Sequence, residues 1–390
     1  MRLLFLIGLF WLVYVYLGYP ILLAIIGMLR RVRPQLAEDY LPKVSVVFAA
    51  RNEEKDIDWK IRETLAWDYP TDRLEVAVVS DASTDRTDEI IRSINDDRLL
   101  FVRMDQRGGK NMALNSLVPR TSGEILFFTD ANAHIEPSAL RRIVRHFSEK
   151  RVGCVTGQTQ PLRHEDSPLT KGAGTYWGYE ALVKQLENRI GSVLVCEGAV
   201  FCIRRSLFSP LSPQLANDLE TPFQIAKLGY WICYEPSVFT WEYETSSPRE
   251  EFARRRRICA QGTLALRRLV KTLSPLRAWQ FFSRKVLRWV TLIPILMVFI
   301  SSIFLSNYLF YRTMLVFQLA FYLLASFGWL LGAVGRRTRG PFSIPYYTLL
   351  VCAAGLLGTV ESCLGRKFAV WETSNMSRLG RINVDRQALD

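Results

Sequence analysis

Apolar residues are distributed along this chain in two ways. Towards both ends they form long uninterrupted runs, and between these they form short runs separated by polar, turn-forming segments. Leu3 to Leu29 contains no charged residue. A helix needs about 20 apolar residues to cross a bilayer core, so this run is long enough to span. A secretory signal peptide is the competing interpretation, but the apolar run is too long and no small-residue cleavage site is evident. A retained membrane anchor is expected. Three further uncharged runs crowd the C-terminal third: Trp289–Tyr311, Thr313–Gly335 and Pro341–Val360.

The middle of the chain has a different period. Val44–Ala49, Leu74–Val79 and Glu124–Thr129 predict short buried strands, with Leu99–Val102 as a fourth. Between them, Asp56–Leu65, Thr87–Ile94 and Asn111–Leu117 carry helical spacing. Strand alternating with helix predicts a parallel sheet covered by helices on both faces. Right-handed crossovers then bring the carboxyl ends of the strands to one edge, where ligands bind in such sheets. Three polar clusters fall at that edge: Arg51-Asn52-Glu53-Glu54, Asp81-Ala82-Ser83-Thr84-Asp85 and Asp130-Ala131-Asn132. Each alone has a structural explanation. Asp81, or better Asp85, could cap the helix near Arg86, and Asp130 could cap a turn before Glu136-Pro137. Their convergence favours a ligand site. Gly108-Gly109-Lys110-Asn111 lacks the first glycine and the hydroxyl of a Walker loop, and no G-x-G-x-x-G follows the first strand.

Charge orients these parts. The net charge is +13, from 50 Lys+Arg against 37 Asp+Glu, and mean hydropathy is +0.08 with 49% hydrophobic residues. The basic residues sit beside apolar spans and not on a recognition helix, which points to an anionic membrane surface and away from nucleic acid. Arg30, Arg31 and Arg33 follow the first run, so by the positive-inside rule the chain emerges into the cytoplasm. Arg336, Arg337 and Arg339 make their loop cytoplasmic as well, leaving a hairpin tip near Asn307 outside. The last run conflicts with this scheme. If it spans, the tail with Arg366, Lys367, Arg378, Arg381 and Arg386 ends outside; otherwise the run is re-entrant or interfacial. Arg249 to Arg288 holds 12 Lys/Arg against 2 acids, interleaved with apolar residues, and predicts amphipathic helices in the membrane interface or else a solvated face. The expected divisions are 1–33 (anchor), 40–245 (cytoplasmic α/β domain), 246–288 (interface helices), 289–364 (membrane helices) and 365–390 (basic tail). The seven cysteines form no C-x-x-C pair, which argues against a disulfide framework or a zinc site and fits a reducing cytosol.

The ordered motifs resemble those of membrane-bound family-2 glycosyltransferases, the group of chitin, hyaluronan, cellulose and poly-N-acetylglucosamine synthases. The resemblance covers about residues 44–262. Asn52-Glu53 resembles the opening N-E. Val79 to Asp85 resembles the segment with a uridine-contacting aspartate, and Gly109-Lys110-Asn111-Met112-Ala113-Leu114-Asn115 resembles G-K-x-x-A-L-N. Asp130-Ala131-Asn132 stands at the D-x-D, Gly198 to Arg205 at the G-A-x-x-x-x-R-R strand, and Asn217-Asp218 at the E-D or D-D. Arg254 to Gly262 resembles the Q-x-x-R-W segment, with Ile258-Cys259 where the Trp would stand.

The resemblance implies a GT-A fold, an α/β nucleotide-sugar-binding domain with a mostly parallel sheet flanked by helices, attached to transmembrane and interfacial helices. It implies an inverting transfer from a nucleotide sugar, most simply a UDP-sugar, to a saccharide acceptor in surface polysaccharide synthesis. Single transfer to a membrane lipid is one alternative, and an inactive nucleotide-binding scaffold of an export complex is another. Membrane lipids, a homo-oligomer or an export partner are the further partners implied. Carried onto this sequence, the family's donor site falls on Ala49, Arg51, Glu53, Asp81, Lys110, Asp130 and Gln261, and its acceptor site on Glu197 and Gly198. Asp218 takes the place of the general base, with Glu220 and Glu197 as weaker candidates, and Arg254 and Arg257 face the leaving group. Asp218 could instead cap a helix over Thr221–Lys227. Asp130 and Asn132 would hold Mg²⁺ or Mn²⁺, since a departing diphosphate needs neutralising and hard oxygen ligands suit those ions. Asn132 replaces the usual second aspartate, which implies weaker metal binding.

Overall fold

A computed structural model of the chain describes residues 1–30, 32, 34–162, 170–191, 193–243, 247–333 and 340–366. Arg31, Arg33, the Arg336–Arg339 loop and most of the basic tail lie outside the described residues. Eight strands form the central sheet: β1 (Val44–Ala50), β2 (Leu74–Ser80), β3 (Leu99–Arg103), β4 (Ile125–Phe128), β5 (His134–Ile135), β6 (Val152–Leu162), β7 (Phe201–Arg204) and β8 (Trp231–Tyr243). The surrounding helices of this body are α3 (Ile57–Leu65), α4 (Thr87–Ser93), α5 (Lys110–Leu117), α6 (Ala139–Val144), α7 (Thr170–Arg189) and α8 (Asn217–Lys227). They follow α1 (Arg2–Val13) and α2 (Tyr19–Leu29), which a π-helical turn joins into one rod. After the sheet come α9 (Pro248–Leu269), α10 (Pro275–Phe281), α11 (Leu287–Trp289), α12 (Leu292–Phe304), α13 (Leu309–Ala333) and α14 (Ser343–Cys363).

The strand order is β3-β2-β1-β4-β7-β6-β8-β5. The first four strands are parallel, as the alternating pattern predicts. β7 then enters antiparallel between β4 and β6, β8 runs parallel to β6, and β5 pairs antiparallel with β8. The sheet is therefore mixed, with four of its seven pairings parallel, in keeping with the expected mostly parallel sheet flanked by helices. β1 is buried along its whole length because both of its faces are covered. Val46, Phe48, Val76, Val78 and Phe127 pack on Ile57 and Ile61 of α3 and on Leu140 and Ile143 of α6. Val47, Ala49, Val79, Leu126 and Phe128 face Ala113, Leu114 and Leu117 of α5 and Ile225 of α8. The chain leaves β1 in one direction to β2 and β3 and returns to β4 on the other side. The crevice where strand order reverses lies between the carboxyl ends of β1 and β4.

Among the described residues, three helical stretches are long and apolar enough to cross a membrane: Arg2–Leu29, Leu309–Gly332 and Gly340–Cys363. The expected span Trp289–Tyr311 is broken instead. Its helix α12 has 13 residues and meets the Pro275–Trp289 stretch at a bend of 58°. The tip expected near Asn307 does fall between α12 and α13. The basic stretch also differs from a free interfacial face. Arg277 and Arg284 are buried, and Arg284 is paired with Glu180 and Glu187 of α7. Those acids lie far off in sequence, so the pairing could not be read locally.

Candidate active site

The loops after β1 and β2 are laced into one rim. Asn52 and Ala82 adopt left-handed φ values of 54° and 51°, a conformation uncommon for residues with a side chain. Asn52 accepts a 2.9 Å hydrogen bond from the Thr84 amide, and its own amide donates to Ser83 Oγ at 3.1 Å. Arg51 donates to the carbonyls of Asp81 (2.6 Å) and Ala82 (3.1 Å), and the Glu53 amide donates to Thr87 Oγ1 at 2.8 Å. Ala49 is buried in β1 beneath this rim.

Asp81 is wholly buried and caps no helix. Its two carboxylate oxygens accept from the amides of Gly108 (2.6 Å) and Gly109 (2.9 Å). Asp85 bonds the Thr87 amide at 3.0 Å, close to its expected capping role. The Asp81 clamp fixes the loop into α5, where Gly109 takes φ 83° and so permits the sharp entry. Lys110 is the first residue of α5, and its ammonium pairs with Asp130 at the end of β4. Asn132 is exposed beside it.

Asp218 stands in the first turn of α8, which starts at Asn217 and not at Thr221; no side chain caps this helix. The helix-cap interpretation of Asp218 therefore fails. No hydrogen bond reaches its carboxylate among the described residues. Burial raises its pKa to about 6; Glu197 and Asp130 add to the rise, and Lys110 and Lys285 oppose it. The segment carrying the acceptor candidates runs alongside, with the Cys196 amide donating to the Asp218 carbonyl at 3.1 Å. A Cβ on Gly198 would stand 3.4 Å from Asp218 Oδ2, so glycine leaves this approach open. Glu197 is differently placed. Burial alone would raise its pKa, but the Lys184 ammonium and a 3.0 Å bond from Thr159 Oγ1 hold it below the usual range. Glu220 accepts from the Ser212 amide at 2.8 Å and serves a loop.

Arg254, Arg257 and Gln261 fall at i, i+3 and i+7 and share one side of α9. Arg254 lies 3.5 Å from Glu251. On the other side, Arg255 binds Glu251 and Tyr347, while Arg256 binds Glu361. The run of four arginines is thus divided between two jobs by helical phase.

Sequence reasoning missed a layer beneath the Asp130–Asn132 loop. Lys60 of α3 is fully buried and donates to the Ala133 carbonyl at 2.5 Å. Glu63 lies 3.8 Å from Lys60 and 2.5 Å from His134 Nδ1, and His134 stacks on Trp59. Lys60 shares the inward face of α3 with Ile57, Ile61 and Thr64, a placement where a lysine is not expected. Lys285 was missed too; its charge acts on both Asp218 and Glu197.

A mixed sheet with a polar crevice at its switch point, an aspartate loop after β4 and a half-buried carboxylate on α8 is the arrangement of a GT-A fold. The chain belongs to the glycosyltransferase-like family 2, whose family model matches residues 42–260. It is similar to the probable glycosyltransferase YdaM of Bacillus subtilis, with 30% identity over 52% of this chain and 51% of that one. It is also similar to the beta-monoglucosyldiacylglycerol synthase of a Nostoc species, at 28% identity over 47% of this chain and 41% of the relative. The chain thus spans about half the length of the curated relatives it matches. A mannosyltransferase from Pyrobaculum calidifontis, solved with GDP-Man and Mn²⁺, shares the fold at a TM-score of 0.69 and 21% identity, over 93% of this chain and 100% of that one.

Proposed function

We propose that this chain is an inverting glycosyltransferase that moves a sugar from a UDP-sugar to a saccharide acceptor at the cytoplasmic face of a bacterial inner membrane. The observation that carries this reading is Asp218. A carboxylate raised to about 6, with no hydrogen bond from the described residues and within reach of the charges of Lys110 and Asp130, has the properties of a general base. In the step, the acceptor hydroxyl gives its proton to Asp218 as its oxygen bonds the anomeric carbon. The bond from that carbon to the diphosphate oxygen breaks, and UDP leaves from the opposite face. Glu197, held ionised by Lys184, keeps a negative field on Asp218 and is a poor base itself. Lys110 meets the diphosphate, and Arg254 and Arg257 supply fixed positive charge as it departs.

Asp130 and Asn132 suit Mg²⁺ or Mn²⁺ in one respect: both offer hard oxygen donors, and Asp130 is partly exposed. No group of three or more His, Cys, Asp or Glu side chains able to hold a metal occurs among the described residues. The donor set fits an ion that keeps ligands from outside the protein. Such an ion, when bound, neutralises charge on the leaving diphosphate. A second reading, transfer to a membrane lipid, is favoured by the similarity to beta-monoglucosyldiacylglycerol synthases and by the packing of α7 against the first membrane helix.

The test uses full-length protein in lipid, measuring UDP release from a panel of nucleotide sugars with diacylglycerol or oligosaccharide acceptors. Asp218→Asn is expected to lower the transfer rate by about 10²–10⁴-fold with UDP affinity unchanged. In the wild type kcat/KM should fall as pH drops below about 6, because protonated Asp218 cannot take a proton. A variant keeping more than about half the wild-type rate would end the case for Asp218.

A further inference from the structure

The segment from Leu211 to Ala216 has neither helix nor strand and leads directly into α8, whose second residue is Asp218. Three helices hold this strap. From α5, Asn115 binds both backbone groups of Leu211: Nδ2 donates to the carbonyl and Oδ1 accepts from the amide, each at 2.8 Å. One turn earlier, Asn111 donates through Nδ2 to the carbonyls of Ser212 (2.6 Å) and Leu215 (2.8 Å). From α8, Glu220 accepts from the Ser212 amide. From α9, Arg268 reaches Ser212 Oγ and the side chain of Gln214.

The α5 contacts are selective for asparagine. Asn115 must both donate and accept within one short side chain. Asn111 must donate twice towards carbonyl oxygens, where a carboxylate would be repelled. Asn111 is 2% exposed, so a carbonyl deprived of its amide there would stay unsatisfied. The same helix begins with Lys110, which faces the donor side of the crevice. One rigid eight-residue helix therefore carries a donor-side cation at its first turn and grips the base-bearing strap along its side.

We propose that Asn111 and Asn115 are positioning residues of the transfer step: by fixing the strap to α5 they set the distance between Asp218 and the donor phosphates. This rests on Asp218 being the base. Neither asparagine touches the reacting atoms, so their effect should fall on kcat and not on donor binding. A misplacement on the order of 1 Å can cost about 10²-fold in rate.

The test is steady-state kinetics of the full-length chain in lipid, with UDP-glucose and UDP-N-acetylglucosamine as donors and UDP-induced change in Tm as the binding readout. Asn115→Asp keeps the acceptor towards the Leu211 amide and loses the donor, and solvent at this position, unlike at buried Asn111, screens the new carboxylate from the Leu211 carbonyl. It sits at a half-buried position, and a roughly tenfold loss of kcat is expected, with donor KM and the UDP-induced shift within about twofold of wild type. Asn115→Ala and Asn111→Ala should lose about 10²-fold. The order wild type, Asp, Ala at position 115 is the rescue series that separates positioning from simple folding damage. A drop in kcat matched by an equal drop in UDP-binding protein would overturn the proposal, as would a donor KM rising in step. If Asn111→Ala does not fold, Asn115→Asp decides alone. Should Asp218→Asn keep its rate, the base reading fails. Should Asp218→Asn abolish transfer while Asn115→Asp keeps full kcat, the strap proposal fails by itself.

Discussion

Lys60 carries an ammonium group into the interior of the α/β body, where burial lowers its pKa to about 8 against the opposing pull of Glu63 and Asp130. The sign of the consequence follows from proton counting. Below about pH 8 the lysine is charged in both states. Between about 8 and 10.5 the folded chain has released a proton that the unfolded chain still holds, so stability gains with rising pH in that window. The variant Lys60→Met should lack this gain, and chemical denaturation of both proteins across the window would show it; parallel profiles would refute it. A second expectation concerns Asn132. An amide binds a divalent ion more weakly than a carboxylate does. Asn132→Asp should therefore lower the Mg²⁺ or Mn²⁺ concentration for half-maximal rate, measured by metal titration after chelation, and an unchanged or raised requirement would remove Asn132 from the ion. At this scale Asp81 and Asp130 stood out because a polar residue directly after an apolar strand has few structural uses, whereas Lys110 and Asp218 were marked only by the family motifs. Lys60 was not, because sequence shows no reason for a cation on an apolar helical stripe.

Among the elements, β1, β2 and β4 announced themselves as short apolar runs. β6 and β8 did not. Thr156, Gln158, Thr159 and Gln160 interrupt the apolar pattern of β6, and its pairing with β8 shifts register twice. The antiparallel half of the sheet therefore needed tertiary context. α9 carries the candidate site residues Arg254, Arg257 and Gln261, and its contact with α14 is closest at a glycine. A Cβ on Gly358 would collide with the Arg256 carbonyl oxygen of α9, and one on Gly355 would lie 2.7 Å from the Trp289 carbonyl of the neighbouring α11. Gly358→Ala should push α9 from its seat, lowering both Tm and transfer rate. Gly178→Ala is the control, since a Cβ there meets nothing within 4 Å and alanine favours the helix by roughly 1 kcal/mol. Equal Tm changes for the two variants would show that the α9–α14 contact is not tight.

For the molecule as a whole, the unsettled question in the sequence was the last apolar run. Tyr347 near the start of α14 bonds Glu251 and Arg255, and Glu361 near its end bonds Arg256. Both partners belong to arginine-rich α9, which has no place in hydrocarbon. An α14 lying on the membrane surface, with its end on the cytoplasmic side, is therefore expected. Cys363 is exposed while the other six cysteines are buried, so it is a natural reporter. An impermeant maleimide should label Cys363 only after cells are opened, and labelling of intact cells would place that end outside. The ion pairs of Arg284 carry a different consequence. Tyr19 of the first membrane helix donates to Glu187 at 2.6 Å, Glu187 binds Arg284, and Arg284 binds Glu180 at 2.9 Å. Tyr179 of α7 reaches back to the Val15 carbonyl at 3.2 Å. These bonds weld the catalytic body to its anchor, so it cannot swing as a ball on a string. With α1 and α2 seated in a bilayer, the crevice would be held at one height above the lipid headgroups. An enzyme so mounted is expected to act as a ruler, serving acceptors whose hydroxyl stands at that height over chemically identical ones presented nearer to or farther from the bilayer.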